Sequence, residues 1–326
     1  MSNRSLISVV ALVYNEEATL EELINRLIAV AEKLAHKYVF EFILVDDGST
    51  DESLSVARKL ISADKRVRVV ELRSNYGQTA ALQAGLDEAQ GEIVISMDAD
   101  LQHFPEEIPH MLEKLEQGGF DVVCGWRSQR QEGVLRRWPS KVANYLLRRI
   151  SGLQIHDIGT TFRAYRRDIL KDFVLLGENH RFVPIFAKAA GARVGEVPIQ
   201  NIERPKGKSN YGLGRTLNVF LDLFFLYFFV RYLDRPIRIF GKLAIVSFAI
   251  AVIISLALLG VWVETGRAVV REHSGFFAIA MMFYLTSGIL IVTVVLAAMM
   301  SRIYYSGPNS LPFKIIHIWA SDSESR

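Results

Sequence analysis

Ile93-Val94-Ile95-Ser96-Met97-Asp98-Ala99-Asp100-Leu101-Gln102 reads as a buried strand that ends in two carboxylates. Acidic side chains two residues apart at the end of an apolar strand are costly to desolvate unless something positive offsets them. Hard oxygen donors suit Mg²⁺ or Mn²⁺, and Mg²⁺ usually bridges one or two carboxylates to substrate phosphates. Open α/β sheets bind ligands at the edge where such strands end. The stretch therefore predicts an α/β sheet with a nucleotide diphosphate held at its edge through a metal.

Working outward, the same alternation continues. Leu6–Val13 is an apolar, β-branched run suited to a strand buried on both faces. Glu17–Lys37 has helical periodicity, with Leu20, Ile24, Leu27 and Ile28 on one face. Phe40–Val45 is a second strand, and Ser49, Thr50 and Asp51 can cap a helix running to Asp64. Val67–Leu72, Ile93–Met97 and Asp121–Gly125 read as further strands, separated by helices over Gln78–Ala89 and from Pro105 through Leu115. This order predicts a doubly wound, mostly parallel sheet. The first strand runs into Tyr14-Asn15-Glu16-Glu17 and the second into Asp46-Asp47-Gly48-Ser49. Three acidic clusters thus line one sheet edge. No G-x-G-x-x-G or G-x-x-x-x-G-K-[ST] is present, which excludes dinucleotide-fingerprint and P-loop readings.

After Gly125 the alternation breaks. Residues 126–137 are polar and carry Arg127, Arg130, Arg136 and Arg137, followed by a helix over 140–151. Strands at Phe162–Tyr165 and Val194–Ile199 flank a helix near Phe182–Ala190. A Gly- and Lys-rich connector over 202–214 follows. Cys124 is the one cysteine, which excludes an internal disulfide and fits a reducing compartment.

Half of the 326 residues are hydrophobic and the mean hydropathy is +0.21, with the apolar excess in the last third. Leu243–Val263 and Gly275–Met300 are uncharged runs of about 21 and 26 residues. Each exceeds the roughly 20 residues that cross a bilayer core. Residues 213–233 are aromatic and nearly apolar, but Arg215, Asn218 and Asp222 recur on one side. That pattern suits a helix lying in the membrane interface, with a third span as the alternative. The expected organisation is a catalytic domain over 1–210, an interfacial helix over 211–238, two spans over 239–302 and a tail over 303–326. Arg231, Arg235, Arg238 and Lys242 before the first run, with Arg302 and Lys314 after the second, place both termini in the cytoplasm of a multi-pass plasma (inner) membrane protein. No N-terminal export signal is expected, since Met1–Arg4 is polar and Leu6–Tyr14 reads as a strand. A net charge of +3 gives no argument for nucleic acid as a partner.

Four motifs taken together, Val13-Tyr14-Asn15-Glu16-Glu17, Val45-Asp46-Asp47-Gly48-Ser49, Asn75-Tyr76-Gly77-Gln78 and Asp98-Ala99-Asp100-Leu101-Gln102, resemble the family 2 inverting glycosyltransferases of the GT-A fold. Within them the chain is similar to the polyprenyl-phosphate glycosyltransferases. These include dolichol-phosphate mannose synthases, bacterial undecaprenyl-phosphate glucosyltransferases and the undecaprenyl-phosphate formamidoarabinose transferases. The stretch from Thr161 to Arg167 resembles the last group in particular. The resemblance implies transfer of one sugar from a nucleotide sugar, a UDP-sugar ahead of GDP-mannose, to a polyprenyl phosphate such as undecaprenyl phosphate. It also implies a divalent metal (Mg²⁺ or Mn²⁺), contact with membrane lipids and a homo-oligomer.

By the same resemblance, Tyr14, Glu16, Asp47, Gln78 and Asp98 belong to the nucleotide site, Asp47 meeting base or ribose. Asp98, Asp100 and Gln102 surround the metal and diphosphate. Arg127, Arg137, Arg204, Lys208 and Ser209 meet the phosphates of the acceptor or donor. Asp157 lies near the acceptor and, with Asp100, Arg127 and Arg137, completes the catalytic set. A phosphate monoester is largely ionised near neutral pH, so Asp157 is expected to act as an orienting group or weak base. Positioning and charge balance should matter more than proton removal. His103 and His156 are expected to be loop residues. A processive polysaccharide synthase is disfavoured: Gly133-Val134-Leu135-Arg136-Arg137-Trp138 lacks the Gln of the Gln-x-x-Arg-Trp motif. A membrane scaffold with a degenerate site is the rival from another class.

Overall fold

The computed structural model describes residues 4–128, 152–172, 175, 179–200, 237–266, 269–306 and 315–319. The helix expected over 140–151, the segment 213–233 and the residues Arg137, Arg204, Lys208 and Ser209 lie outside them. The chain divides into two compact units, one formed by Met1–Leu223 with Leu311–Arg326 and the other by Phe224–Ser310.

The first unit is built on an eight-stranded sheet. Its elements in chain order are β1 (Ser5–Val13), α1 (Leu20–Lys33), β2 (Tyr38–Asp46), α2 (Ser53–Ala63), β3 (Val67–Leu72), α3 (Gln78–Glu88), β4 (Ile93–Asp98), α4 (Ile108–Gln117), β5 (Val122–Arg127), β6 (Arg163–Arg166), α5 (Val183–Ala189) and β7 (Val194–Ile199). The strand order is β7-β5-β6-β4-β1-β2-β3, and a last strand, β8 (Ile315–Trp319), closes the β3 edge. β1 pairs in parallel with β2 and β4, β2 with β3, and β5 with β7. β6 runs antiparallel between β4 and β5, and β8 antiparallel to β3.

Alternation along β1 sets the two layers. Ile7, Val9, Ala11 and Val13 join the core formed with Leu20, Leu23, Ile24 and Leu27 of α1 and Met111, Leu112 and Leu115 of α4. On the opposite face α3 lies so close that a Cβ on Gly85 would stand 2.2 Å from Val10 Cγ1. From β1 the chain winds one way through β2 and β3, while β4 lies on the other side. That reversal between β1 and β4 opens a crevice at the carboxyl ends of the strands.

Two details differ from the sequence reading. Helix α2 starts at Ser53, with Glu52 at the cap and no side-chain capping bond. Of the side chains expected to cap it, Ser49 Oγ accepts from Asn15 N–H and Thr50 Oγ1–H donates to Asn15 Oδ1, while Asp51 Oδ1 accepts from the N–H of Ser53 at the start of the helix. β8 was not expected from the sequence.

In the second unit, α6 (Lys242–Thr265) and α7 (Ser274–Ser306) carry the two long apolar runs. Both are long and apolar enough to cross a membrane. Ile245 and Val263 are 70% exposed and Ile289 is 66% exposed, a surface suited to lipid rather than water. Ala244, Ser247, Ala251, Ala280 and Ser287 are buried. Their small size allows close helix approach. Ser247 Oγ–H donates to Phe283 O (2.9 Å) and Ser287 Oγ–H to Ala244 O (3.0 Å), so the two helices are cross-bonded in both directions.

Candidate active site

The exits of β1 and β2 are laced together. Asn15 takes φ +56°, and its Oδ1 accepts from Thr50 N–H at 2.8 Å. Glu16 N–H donates to Ser53 Oγ (2.7 Å), and the Glu16 carboxylate accepts from Thr19 Oγ1–H. Glu17 Oε2 accepts from Glu52 N–H. Tyr14 stands 45% exposed at this exit.

The paired acids that end β2 do different work. Asp47 is buried, and its two oxygens accept from Tyr76 N–H (2.8 Å) and Gly77 N–H (2.9 Å). It thereby fixes the turn that enters α3, where Gly77 takes φ +91°. Asp46 accepts from Ser49 N–H, while its Oδ1 is buried without a donor. Burial pushes both carboxyls above the ordinary range, against the downward pull of those hydrogen bonds.

Gln78, the first residue of α3, donates from Nε2 to Asp98 Oδ1 at 2.7 Å. Thr161 Oγ1–H donates to the other oxygen, Asp98 Oδ2, also at 2.7 Å. Asp98 is therefore held at both ends by neutral donors. Two residues on, Asp100 Oδ1 accepts from Gln102 N–H at 3.1 Å. Leu101 between them takes φ +58°, which side chains rarely adopt, and is buried in the core. Core packing thus fixes the kink that carries Asp100 and Gln102. Two carboxylates and an amide oxygen are a hard donor set that suits one Mg²⁺ or Mn²⁺ with phosphate or water in the remaining positions. Among the described residues no cluster of three or more His, Cys, Asp or Glu has metal-site geometry.

At the end of β5, Arg127 meets Asp157 as a bidentate pair, Nε to Oδ2 at 2.6 Å and Nη2 to Oδ1 at 2.9 Å. Their side chains are only 12% and 9% exposed. The segment 157–161 thus ties this ion pair at one end to Asp98 at the other. His156 donates from its N–H to Glu196 Oε2, pairs through its ring with the same carboxylate and stacks on Trp126 at 4.4 Å. His103 is buried and stacks on Phe162. Cys124 is fully buried and its thiol is pushed up to about 12 by desolvation, which makes it inert.

The structure thus joins Gln78 to Asp98 and Arg127 to Asp157. The sequence reading did not single out Thr161 as a partner of Asp98, although it opens a stretch already singled out. A threonine side chain placed by a loop closure carries no signature in sequence.

Residues 8–174 match the model of "Glycosyl transferase family 2". The dodecaprenyl-phosphate galacturonate synthase of Rhizobium johnstonii is 38% identical over 98% of this chain and 94% of its own length. The chain belongs to glycosyl transferase family 2. This family 2 glycosyltransferase is also 38% identical to the undecaprenyl-phosphate 4-deoxy-4-formamido-L-arabinose transferase of Pseudomonas syringae, over 91% of this chain and 86% of that one. Among solved structures, mannosyl-3-phosphoglycerate synthase of Rubrobacter xylanophilus is similar with a TM-score of 0.54 and 18% identity, covering 69% of this chain and 74% of that chain. Glucosyl-3-phosphoglycerate synthase of Mycobacterium tuberculosis, crystallised with Mn²⁺ and UDP-glucose, gives 0.53 and 22%, covering 68% and 79%. These likenesses show the GT-A fold.

Proposed function

We propose that this glycosyltransferase moves one sugar, with inversion, from a nucleotide sugar to a polyprenyl phosphate such as undecaprenyl phosphate. The product is a lipid-linked monosaccharide at the cytoplasmic face of the membrane. Two kinds of polyprenyl-phosphate sugar transferase matched along most of the chain support the reaction class. The observation that carries the site is the segment 157–161, which ties Arg127–Asp157 to Asp98. A donor diphosphate held beside Asp98 and an acceptor phosphate met by Arg127 would then face each other across five residues of chain. The donor we favour is a UDP-sugar, a base choice that rests on resemblance.

Arg127 presents a planar fork that matches phosphate oxygens, and Asp157 fixes its plane. The acceptor phosphate arrives ionised, so Asp157 orients and need not accept a proton. Asp98, Asp100 and Gln102 would hold a divalent metal, which offsets charge on the departing nucleoside diphosphate. Gln78 and Thr161 keep Asp98 aimed by donating to it. Arg137, Arg204, Lys208 and Ser209 would add donors to the phosphates, as the resemblance implies.

Two apolar helices separate β7 from β8, yet both strands belong to one sheet. An even number of crossings between them supports both chain ends on one face and speaks against a third span at 213–233. The lysine and arginine distribution favours the cytoplasm for that face. A homo-oligomer is part of this reading.

The test uses the purified chain in detergent with undecaprenyl phosphate, Mg²⁺ or Mn²⁺ and a panel of UDP- and GDP-sugars, with lipid-linked sugar followed by mass. A single-sugar lipid that disappears in Asp100→Ala is expected. Long polymer would replace the reading with a processive synthase. Metal-dependent nucleotide binding without product from any donor would replace it with a binding protein.

A further inference from the structure

Arg163 is the largest fully buried side chain among the described residues, with no exposed surface. Buried guanidinium groups are usually met by a carboxylate. Among the described residues no carboxylate bonds to this one, and its Nε makes no hydrogen bond. It holds three main-chain carbonyls instead. Nη1 donates to His180 O at 2.7 Å, and Nη2 donates to Ile158 O at 2.9 Å and Arg181 O at 3.2 Å. A methionine or leucine would be cheaper to bury and would hold none of them.

Each gripped carbonyl lies close to a pair in the site. Ile158 adjoins Asp157, which receives the Arg127 fork. His180 reaches Thr79, with its ring Nδ1 2.8 Å from Thr79 Oγ1, and Thr79 adjoins Gln78, which donates to Asp98. The strand position has the same logic. Arg163 pairs with Ser96 of β4 on one side and Cys124 of β5 on the other. Two residues beyond Ser96 is Asp98, and three beyond Cys124 is Arg127.

We infer that Arg163 is a positioning residue that sets the distance between the Arg127–Asp157 pair and the Gln78–Asp98 pair. It touches neither substrate. The inference rests on the reaction proposed above, in which those pairs face acceptor and donor. Arg163 does this by branching: one planar group with two terminal nitrogens spans two chain segments that no sheet bond connects. Lysine keeps the charge but has one nitrogen, so it cannot hold both segments in the same geometry.

The experiment compares Arg163→Lys, Arg163→Met and Thr79→Val with the wild type, in the full-length protein in detergent. kcat is measured per folded molecule at saturating donor and acceptor, alongside both KM values. A misplacement of about 1 Å between reacting groups costs roughly 100-fold. The expected result for Arg163→Lys is a loss of kcat of about 10- to 100-fold with both KM values within about threefold. A lower melting temperature with unchanged kcat would mean that Arg163 only supports the fold, and would overturn the inference.

A second readout does not need turnover. Trp126 stacks on His156, beside the gripped loop, so its emission reports whether residues 156–158 keep their place. The Trp126 signal, isolated by subtracting Trp126→Phe spectra, is expected to shift in Arg163→Lys; an unchanged signal sinks the inference even if wild-type protein transfers no sugar. Absent transfer with a shifted Trp126 signal would refute the reaction and leave the grip of Arg163 standing. Should neither Arg163 variant fold, Thr79→Val breaks the His180 link alone, and unchanged kcat there overturns the role.

Discussion

Asp46 and Asp47 are adjacent in sequence and opposite in circumstance. Asp47 spends both oxygens on the turn into α3, while Asp46 keeps one oxygen buried without a donor. The raised Asp46 carboxyl means that the folded chain binds a proton there more tightly than the unfolded chain. Its buried charge therefore destabilises the fold as pH rises from the unfolded value through the folded one, and the penalty vanishes below both. Asp46→Asn should gain stability relative to wild type on going from pH 4 to pH 7, read as the difference between two melting curves at each pH. Asp98 makes the opposite case, with a donor on each oxygen. Gln78→Ala or Thr161→Val removes one bond to a carboxylate, worth about 1.5–3 kcal/mol. Each should weaken metal-dependent nucleotide binding about tenfold by calorimetry, and unchanged affinity would remove Asp98 from that site. The carboxylates at the strand ends were legible because acids after apolar strands are conspicuous. Which of two adjacent acids commits both oxygens to backbone bonds was not, since that depends on where a distant turn passes.

Among the elements, α3 has the least room. A Cβ on Gly85 would meet Val10 Cγ1 at 2.2 Å and Val45 Cγ2 at 2.9 Å. Gly85→Ala should cost about 1–3 kcal/mol by overpacking. Because Gln78 rides on the same helix, the variant should also bind nucleotide less tightly, which separates it from a substitution at a remote helix. Strands β1 to β5 and their helices were readable from hydrophobic period, since long buried strands and amphipathic helices differ in repeat. β6 was located within a residue, but four residues carry no sign of direction. Nothing in Arg163–Arg166 says that the chain turns back between β4 and β5. The left-handed Leu101 was equally hidden, because leucine there is selected by the core beneath it rather than by the turn.

For the molecule as a whole, the tail matters more than its composition suggests. Trp319 Nε1–H donates to Glu71 Oε2, and Arg58 lies 4.3 Å over the indole while also pairing with Glu71. Trp319→Ala should lower stability by about 1–2 kcal/mol in thermal melts, because it removes a hydrogen bond and a cation–π interaction at once. Sidedness has a direct check. Ser321→Cys and Thr50→Cys, introduced singly, should both react with an impermeant thiol reagent in inside-out membrane vesicles and neither in intact cells. The buried Cys124 stays silent as background. Labelling from opposite sides would break the even count of crossings. The two long apolar helices were legible from uncharged length alone, whereas β8 was not: its five residues show their pairing only when the β3 edge is there to receive them.

That late strand orders events during synthesis. β3 leaves the ribosome some 240 residues before its outer neighbour, so the sheet is made with a bare edge that persists until both apolar helices and β8 have been synthesised. An unpaired edge is a template for aggregation. A chain that lacks β8 leaves that edge open. The sheet is therefore completed only after both apolar helices have been synthesised.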